Sequence, residues 1–283
     1  MKPTTLKFKK NESFYIRDGW YEKALNTIAE NENINVFGKN NGITMLGIGS
    51  NMVKGLRYWM QASKIINSSA TKTELSDFGK VIFKFDQYFE STFTWFFIHY
   101  NLCINYEECP IFYGAFNSDI KSFKKQDLIK YLKTIFSIDG YETKEEYVEE
   151  DTSVFLKSYI NEEKIINPED NYVCPLSSLK LIRKVGDKIE KIRPSYSSLS
   201  YLLVYYALRK LYHDESFKIE DSFEEIGSPY LIFNLDKNMY LQYLEEMKKN
   251  GLIIINKTAG LNTVYFEKNL SIEDIFNIYF GGE

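Results

Sequence analysis

A short stretch after two glycines carries side chains suited to binding phosphates and base edges. Gly47 and Gly49 supply the backbone freedom of a sharp turn, and residues 50–61 follow with helical spacing. Apolar residues form one stripe of this predicted helix, namely Met52, Val53, Leu56, Trp59 and Met60. Polar residues form a second stripe, namely Asn51, Lys54, Tyr58 and Gln61, with Arg57 at its border. Donors of these types contact phosphates and bases in DNA complexes.

Ser50 is predicted to begin this helix as its N-cap, because its hydroxyl can accept a hydrogen bond from a free N–H of the first turn. A glycine turn followed by a helix with one apolar and one polar, partly basic stripe is typical of the second helix of a helix-turn-helix, which enters the DNA major groove. The predicted nucleic-acid-binding residues are Ser50, Asn51, Lys54, Arg57, Tyr58, Gln61, Lys64 and Lys72.

The order of the neighbouring segments favours a helix-turn-helix over an ordinary helix of a helical core. Residues 19–30 predict a first helix, with Asp18 as its cap, and residues 42–46 predict a second. A polar run at residues 67–73 and the segment 74–80 follow the Ser50 helix, at the place where many winged-helix domains have a hairpin or a short terminal element. Any solvated helix also carries lysines, so an ordinary helical packet is the alternative.

The charge distribution agrees with a DNA contact in the N-terminal part. The chain is slightly acidic, with a net charge of −4, and gives no sign of a general polyanion binder. Residues 1–80 hold 12 Lys and Arg against 7 Asp and Glu, so positive charge is concentrated there. Residues 142–170 hold ten acids against three lysines. We expect this acidic region to point away from a DNA backbone.

Composition indicates a folded protein of a reducing compartment. The 283 residues are 44% hydrophobic, enough for two or three small domains with cores of their own. Charged residues interrupt the most apolar segment, residues 81–103, which falls short of the roughly 20 apolar residues that span a membrane. A polar start without a signal sequence, together with only three cysteines, favours a cytoplasmic location.

Four regions are predicted along the chain: a helix-turn-helix domain at residues 1–80, a helical middle region at 81–170, a loop or linker at 171–195, and a winged-helix-like domain at 196–283. In the middle region, residues 81–103 predict one long helix buried on most sides. Residues 126–136 and 144–160 predict two amphipathic helices.

The last region repeats the order of the first, three helices and then a β-hairpin. Its predicted elements are helices at residues 197–212, 220–225 and 237–249, and strands at 252–255 and 264–266. The third of these helices is not basic, because Glu245 and Glu246 offset Lys248 and Lys249. We therefore expect this unit to have a structural or partner-binding role.

Motifs that carry catalytic chemistry are missing from the sequence: we find no P-loop, no dinucleotide fingerprint and no nucleophile elbow. His99, Cys103 and Cys109 could be written as a zinc set, but their spacing lacks the paired Cys-x2-Cys knuckle of common structural sites. A buried, hydrogen-bonded His99 is the more common outcome in an aromatic helix. We predict no catalytic residue, no metal and no cofactor.

Several short motifs are spread over nearly the whole chain, at residues 13–20, 46–53, 57–59, 74–79, 86–88, 99–102 and 174–176. Together they resemble the bacterial domain-of-unknown-function family 4007. The resemblance implies a helix-turn-helix protein whose gene lies beside genes similar to phosphoadenosine-phosphosulfate reductase and to DNA sulfur-modification or phage-defence genes. It implies no reaction and assigns no catalytic residue.

The sequence thus predicts a mainly helical protein with an N-terminal helix-turn-helix, plain or winged, a helical middle and a C-terminal winged-helix-like unit with a β-hairpin. Its predicted role is that of a non-catalytic DNA-binding component of a bacterial DNA-modification or phage-defence system. DNA and a protein from a neighbouring gene are the expected partners, and no membrane contact is expected. A protein-only adaptor and an enzyme with an unrecognised site are the alternatives.

Overall fold

The computed structural model describes residues 2–31, 34–38, 41–69, 72–160, 173–258 and 261–281, with the backbone only at Ser68, Lys257, Thr258 and Leu261. The fold is mainly helical, with 52% of residues in helices and 11% in strands, which confirms the predicted class. The strands form small antiparallel sheets. Within the described residues, no helix is both long and apolar enough to cross a membrane.

Three helices and a hairpin open the chain, in the predicted order. They are α1 (Trp20–Glu30), α2 (Asn41–Leu46), α3 (Ser50–Ala62), β1 (Ile66–Ser68) and β2 (Thr73–Leu75). Helix α1 packs against α2, α3 and β2, because its apolar stripe of Tyr21, Ala24 and Leu25 is buried. The strands β1 and β2 are antiparallel, with Ile66 opposite Leu75.

Both predicted N-caps of this part are wrong. Gly19, not Asp18, precedes α1, in a left-handed conformation with φ of 72°, which glycine adopts without strain. Gly49 precedes α3, and Ser50 is already the first helical residue. No side chain caps either helix. The turn before α3 does need a glycine at position 47, where φ is +61°.

The predicted long helix at residues 81–103 is instead two helices, α4 (Asp77–Phe85) and α5 (Thr92–Ile104). The buried carboxylate of Asp86 causes the break, because it accepts hydrogen bonds from the backbone N–H groups of Glu90 (3.0 Å) and Ser91. Ser91 completes the interruption as the N-cap of α5, and Ser76 caps the start of α4. Burial raises the pKa of Asp86.

The middle of the chain surrounds α5, which is buried along nearly its whole length. The elements that follow α5 are α6 (Pro110–Phe116), β3 (Ser122–Phe123), α7 (Lys125–Ile138) and α8 (Glu145–Tyr159). Helices α7 and α8 confirm the predicted amphipathic segments. The second half of the acidic region, from residue 161, lies outside the described residues.

Residues 171–195, predicted as a loop or linker, contain regular elements where the structure describes them. A 3-10 helix (Pro175–Leu179) leads into the hairpin β4 (Ile182–Val185) and β5 (Lys188–Lys191), and β5 also pairs with β3. The buried amine of Lys191 donates to the carbonyl oxygens of Ala115 (3.0 Å) and Ser118 (2.6 Å) at the end of α6. Burial lowers the pKa of Lys191 to about 7. The hairpin is therefore anchored in the helical middle.

The last part contains the predicted hairpin and the first and third predicted helices, whereas the helix predicted at residues 220–225 is only a 3-10 helix of three residues. In order these are α9 (Tyr201–Leu211), β6 (Ser216–Lys218), a 3-10 helix (Asp221–Phe223), α10 (Pro229–Ile232), α11 (Lys237–Lys249), β7 (Ile253–Thr258), β8 (Leu261–Phe266) and α12 (Ile272–Gly281). Asp236 caps α11 by accepting a hydrogen bond from the N–H of Met239 (2.8 Å). The strand order is β6-β8-β7.

One hydrophobic core runs from the N-terminal helices to α12. Phe276 of α12 packs on Phe78 and Phe85 of α4, and on Phe93 and Phe97 of α5, with ring centroids 5.2 to 6.3 Å apart. The last helix thus covers the start of the helical middle. The predicted domain boundaries at residues 80, 170 and 195 stay predictions.

Candidate nucleic-acid interface

The first turns of α3 present an exposed polar group. Ser50, Asn51 and Lys54 are all exposed there. The Lys54 amine lies 3.2 Å from the Asn51 amide oxygen and 3.8 Å from the Glu12 carboxylate, and its side chain is 62% exposed. Contacts of this length at an exposed site hold a lysine weakly, so Lys54 is free to meet a new anion.

Hydrogen-bond donors of the backbone lie beside this group. In a helix that begins at Ser50, the N–H groups of the first turn have no intrahelical acceptor, and no side chain caps them. The Lys23 amine of α1 lies against the same turn, because a Cβ added at Gly47 would stand 3.3 Å from its Nζ. Free N–H groups, the positive end of the helix dipole and two lysines together favour an anion.

Arg57 joins α3 to the β1–β2 hairpin. One guanidinium nitrogen, Nη2, donates to the carbonyl oxygen of Ser69 at 3.2 Å. In the same hairpin, Lys72 forms an ion pair with Glu74. Both predicted DNA-binding residues therefore have partners within the protein, and Arg57 holds the hairpin beside α3.

Tyr58 is turned into the protein rather than toward the exposed group of α3. Its hydroxyl donates to the carbonyl oxygen of Glu108 at 2.5 Å and lies 3.3 Å from Sγ of Cys109. Burial raises the pKa of Tyr58 well above its ordinary value. Tyr58 thus connects α3 to the start of α6. Gln61 is half-buried one turn further along the helix.

Lys64 lies beyond the C-terminal end of α3, away from Asn51 and Lys54. It adopts a left-handed backbone conformation with φ of 63° and is exposed in a groove shared with Arg209 and Lys210 of α9. Six of the eight predicted binding residues therefore divide among three places: Ser50, Asn51 and Lys54 at the start of α3, Arg57 and Lys72 at the β1–β2 hairpin, and Lys64 in this groove. Tyr58 contacts the start of α6 instead, and Gln61 is half-buried.

The structure adds Lys23 to the predicted set. Its place in the sequence, on the polar side of α1, carries no signal for binding, because its proximity to Gly47 arises only when α1 packs on the turn before α3. Arg209 and Lys210 form a basic pair in the sequence, but they belong to the unit for which we predicted a structural or partner-binding role.

His99 makes the contacts of a structural histidine. Its Nδ1 lies 2.6 Å from the Tyr159 hydroxyl, and its Nε2 lies 3.3 Å from the carbonyl oxygen of Ile232. Burial lowers the pKa of His99 to about 3. Cys103 Sγ is 3.6 Å from the ring, whereas Cys109 contacts Tyr58 instead. Within the described residues, no three His, Cys, Asp or Glu side chains are gathered as metal ligands.

Comparison with known proteins identifies one family and two similar solved structures. The family model described as "Protein of unknown function (DUF4007)" matches residues 8–280. A magnesium ion-bound SspB crystal structure superimposes with a TM-score of 0.85 and 21% identity, over 99% of this chain and 88% of that one. A second SspB crystal structure gives 0.82 and 20% over the same shares. At these identities the likeness shows the fold alone. No curated protein matches the chain.

Proposed function

This chain belongs to the DUF4007 family, and we propose that it is a non-catalytic DNA-binding component of a bacterial DNA-modification or phage-defence system. The start of α3 is the proposed contact with DNA. The modification or defence setting comes from the gene neighbourhoods that the family resemblance implies. A cytoplasmic location goes with this proposal.

A winged helix-turn-helix is the arrangement we propose for the N-terminal part. The order α1, α2, α3, β1, β2 supports it, with α2 and α3 packed together and Arg57 holding the hairpin close to α3. In such a unit α3 is the recognition helix and the hairpin is the wing. The order α9, β6, α10, α11, β7, β8 supports a second winged unit at the C-terminus.

One observation carries the DNA contact: the uncapped N-terminus of α3 with Lys23, Asn51 and Lys54 around it. Backbone N–H groups and lysines position a protein on phosphates. Asn51 supplies a side-chain amide that can donate to and accept from a base edge at the same time. The free N–H groups that meet phosphates and the Asn51 amide that reads a base edge lie together in the first turn of α3. In a helix-turn-helix the start of the recognition helix contacts the bases.

The C-terminal winged unit is proposed to meet a protein partner or to brace the helical middle. The exposed side of α11 is charge-neutral, since Lys248 lies 3.7 Å from Glu245, and Glu246 accepts a hydrogen bond from Tyr196. On the outer face of the hairpin, Ile254 and Tyr265 are cross-strand neighbours and are 49% and 42% exposed. Exposed apolar side chains of this kind suit a protein contact. If DNA binding is absent, a protein-only adaptor is the remaining non-catalytic role.

An enzyme is the second candidate, favoured by the magnesium ion bound in one of the similar solved structures. A divalent cation activates water and stabilises charge in phosphodiester hydrolysis. The test is incubation of the purified protein with supercoiled plasmid, with Mg²⁺ and with a chelator. Magnesium-dependent nicking would replace the non-catalytic proposal, and an intact plasmid under both conditions would support it.

The experiment for DNA binding is an affinity measurement with duplex DNA at about 50 and 200 mM salt. Wild-type affinity should fall steeply over this range as phosphate contacts release counterions. The double variant Lys23→Glu with Lys54→Glu should lose at least about tenfold in affinity, which is about 1.4 kcal/mol. Its stability should change by only about 0.5 kcal/mol, since both lysines are exposed.

The control is the double variant Lys130→Glu with Lys157→Glu, which makes the same change of net charge at exposed positions of α7 and α8. It should bind DNA with nearly wild-type affinity. Wild-type protein that binds no duplex would overturn the proposed function. Equal losses of DNA affinity in the two double variants would show that the change of net charge explains the result. The start of α3 would then not be part of the interface.

A further inference from the structure

A groove of about 740 Å³ lies between the N-terminal and C-terminal parts of the molecule. Lys64, the β1–β2 hairpin and the start of α4 form one wall. The end of α9 and residues 269–272, just before α12, form the other. The groove exists because α12 packs on α4, where Lys84 also pairs with Glu273 at 2.7 Å.

The lining of the groove is positively charged. In the described part of the chain it contains the basic residues Lys64, Lys80, Arg209 and Lys210 and the acids Glu74 and Asp77. Both acids already have partners, because Glu74 pairs with Lys72 and Asp77 lies 3.6 Å from Lys80. Lys64, Arg209 and Lys210 thus supply positive charge that no carboxylate of the lining neutralises.

The backbone and the neighbouring rings hold these cations in place. Lys64 is fixed in its left-handed conformation, because Ser76 donates its hydroxyl to the Lys64 carbonyl oxygen at 2.5 Å. The Arg209 guanidinium lies 4.5 Å from the centroid of the Phe266 ring, and its Nη2 is 3.4 Å from the Asn269 side-chain oxygen. The Lys210 amine lies 5.5 Å from the centroid of the Tyr206 ring. The Arg209 Nη1 also donates to the carbonyl oxygen of Asp214 at 3.3 Å. Neutral acceptors and a ring thus hold this guanidinium in place and leave its positive charge without a carboxylate.

We propose that this groove binds the phosphodiester backbone of the same DNA that the start of α3 contacts, an inference that rests on the DNA binding proposed above. Lys64 follows α3 directly, ten residues after Lys54. At 1.5 Å per helical residue the two lysines are separated by roughly 15 Å. Four or five base pairs of duplex cover about that length. One duplex therefore reaches both places, and the C-terminal unit adds phosphate contacts through α9 rather than through α11.

The test measures the salt dependence of duplex binding by the full chain. Lys64→Gln with Lys210→Gln removes two charges and keeps unbranched polar side chains that are one atom shorter than lysine. Both Lys64 and its replacement must adopt the same left-handed backbone conformation. Loss of two phosphate contacts should reduce the slope of log K against log salt concentration by about 1.8. The charge-matched control Lys130→Gln with Lys157→Gln should keep the wild-type slope.

A wild-type slope and wild-type affinity in Lys64→Gln with Lys210→Gln would overturn this inference alone, because the contact at α3 would still be present. Wild-type protein that binds no duplex would overturn the inference and the proposed function together. Free inorganic phosphate carries the same anionic group as the DNA backbone and is the other ligand to test in the groove. If inorganic phosphate raises the melting temperature of the wild type but not of this variant, and the duplex slope is unchanged, the groove binds small anions and not the DNA backbone.

Discussion

At the scale of single residues, a lysine has one role when it is exposed and another when it is buried. Lys54 is exposed and weakly held, so its charge is available to a partner. Lys191 is 5% exposed and donates to carbonyl groups of the protein itself. Burial removes the charged form of this amine from water, which is unfavourable. The pKa of Lys191 is therefore lowered to about 7.

This lowered pKa predicts a pH dependence of stability. Between pH 7 and 10.5 the unfolded chain holds a proton on Lys191 that the folded protein has released, so the free energy of unfolding rises with pH over this window. The contribution approaches about 1.4 kcal/mol per pH unit. Denaturation of the wild type and of Lys191→Met at pH 7.5 and 9.5 measures it. The wild type should gain stability relative to the variant at the higher pH, and a parallel response would show that Lys191 does not titrate there.

The alternating stripes of α3 allowed the exposure of Asn51 and Lys54 to be predicted from the sequence. They did not show that Tyr58 donates to the carbonyl of Glu108, or that Arg57 donates to that of Ser69. These partners lie 50 and 12 residues away, so their position depends on how the helices and the hairpin pack. Spacing within a helix determines which side a residue faces, not what it meets there.

At the scale of elements, residues at the helix ends determine where each helix begins and ends. At α3 the helix start is also the proposed contact with DNA. The bounds of α11 agree with the prediction, because Asp236 and Gly251 mark its two ends in the sequence. The single helix predicted at residues 81–103 was wrong because Asp86 interrupts it by accepting backbone N–H groups. Aromatic residues continue across that break at Phe85, Tyr88, Phe89 and Phe93, so the aromatic pattern gave no sign of it.

The uncapped start of α3 predicts opposite effects of one substitution on stability and binding. Gly49 occupies the N-cap with φ of −63° and ψ of 155°, and a Cβ there meets only Met52 Sδ at 4.0 Å. Gly49→Asp should therefore keep or raise stability, by up to about 1 kcal/mol, because it caps the helix and restricts the unfolded chain. Its carboxylate occupies the free N–H groups and repels phosphate, so DNA affinity should fall several-fold.

Gly49→Asn is the control for this substitution, since it caps the helix without a charge. Thermal denaturation and duplex affinity measured on both variants separate the two effects. Equal DNA affinity in Gly49→Asp and the wild type would show that the start of α3 does not meet phosphate.

The docking of α12 on the helical middle gives a prediction about stability. Phe276 is fully buried among the aromatic rings of α4 and α5. Phe276→Ala should lower the free energy of unfolding by about 3–5 kcal/mol, because it leaves a cavity in this cluster. Ile278→Ala, at a position 37% exposed on the same helix, should cost much less. Similar losses in the two variants, measured by denaturant unfolding, would contradict the packing described for α12.

At the scale of the whole molecule, the chain builds one core from parts that the sequence predicted as separate regions. The predicted linker at residues 171–195 contains a hairpin that pairs with β3, and Lys191 fastens it to α6. A strand of four residues of which three are charged, such as Lys188 to Lys191, resembles a polar loop in sequence. Only pairing of Ile189 and Glu190 with Phe123 and Ser122, far earlier in the chain, makes it a central strand. The fold class could be predicted from local patterns, whereas this long-range pairing could not.

The central claim, that α3 meets DNA through its first turns, is tested most directly by cross-linking from a defined position. Asn51→Cys labelled with a photoreactive maleimide places the probe on the proposed contact, and Lys130→Cys places it on α7. The native cysteines Cys103, Cys109 and Cys174 are buried, and burial raises their thiol pKa values, so labelling is confined to the introduced residue. We expect irradiation with duplex DNA to cross-link the protein from position 51 and not from position 130. Equal cross-linking from both positions, or from position 130 alone, would contradict the proposed interface.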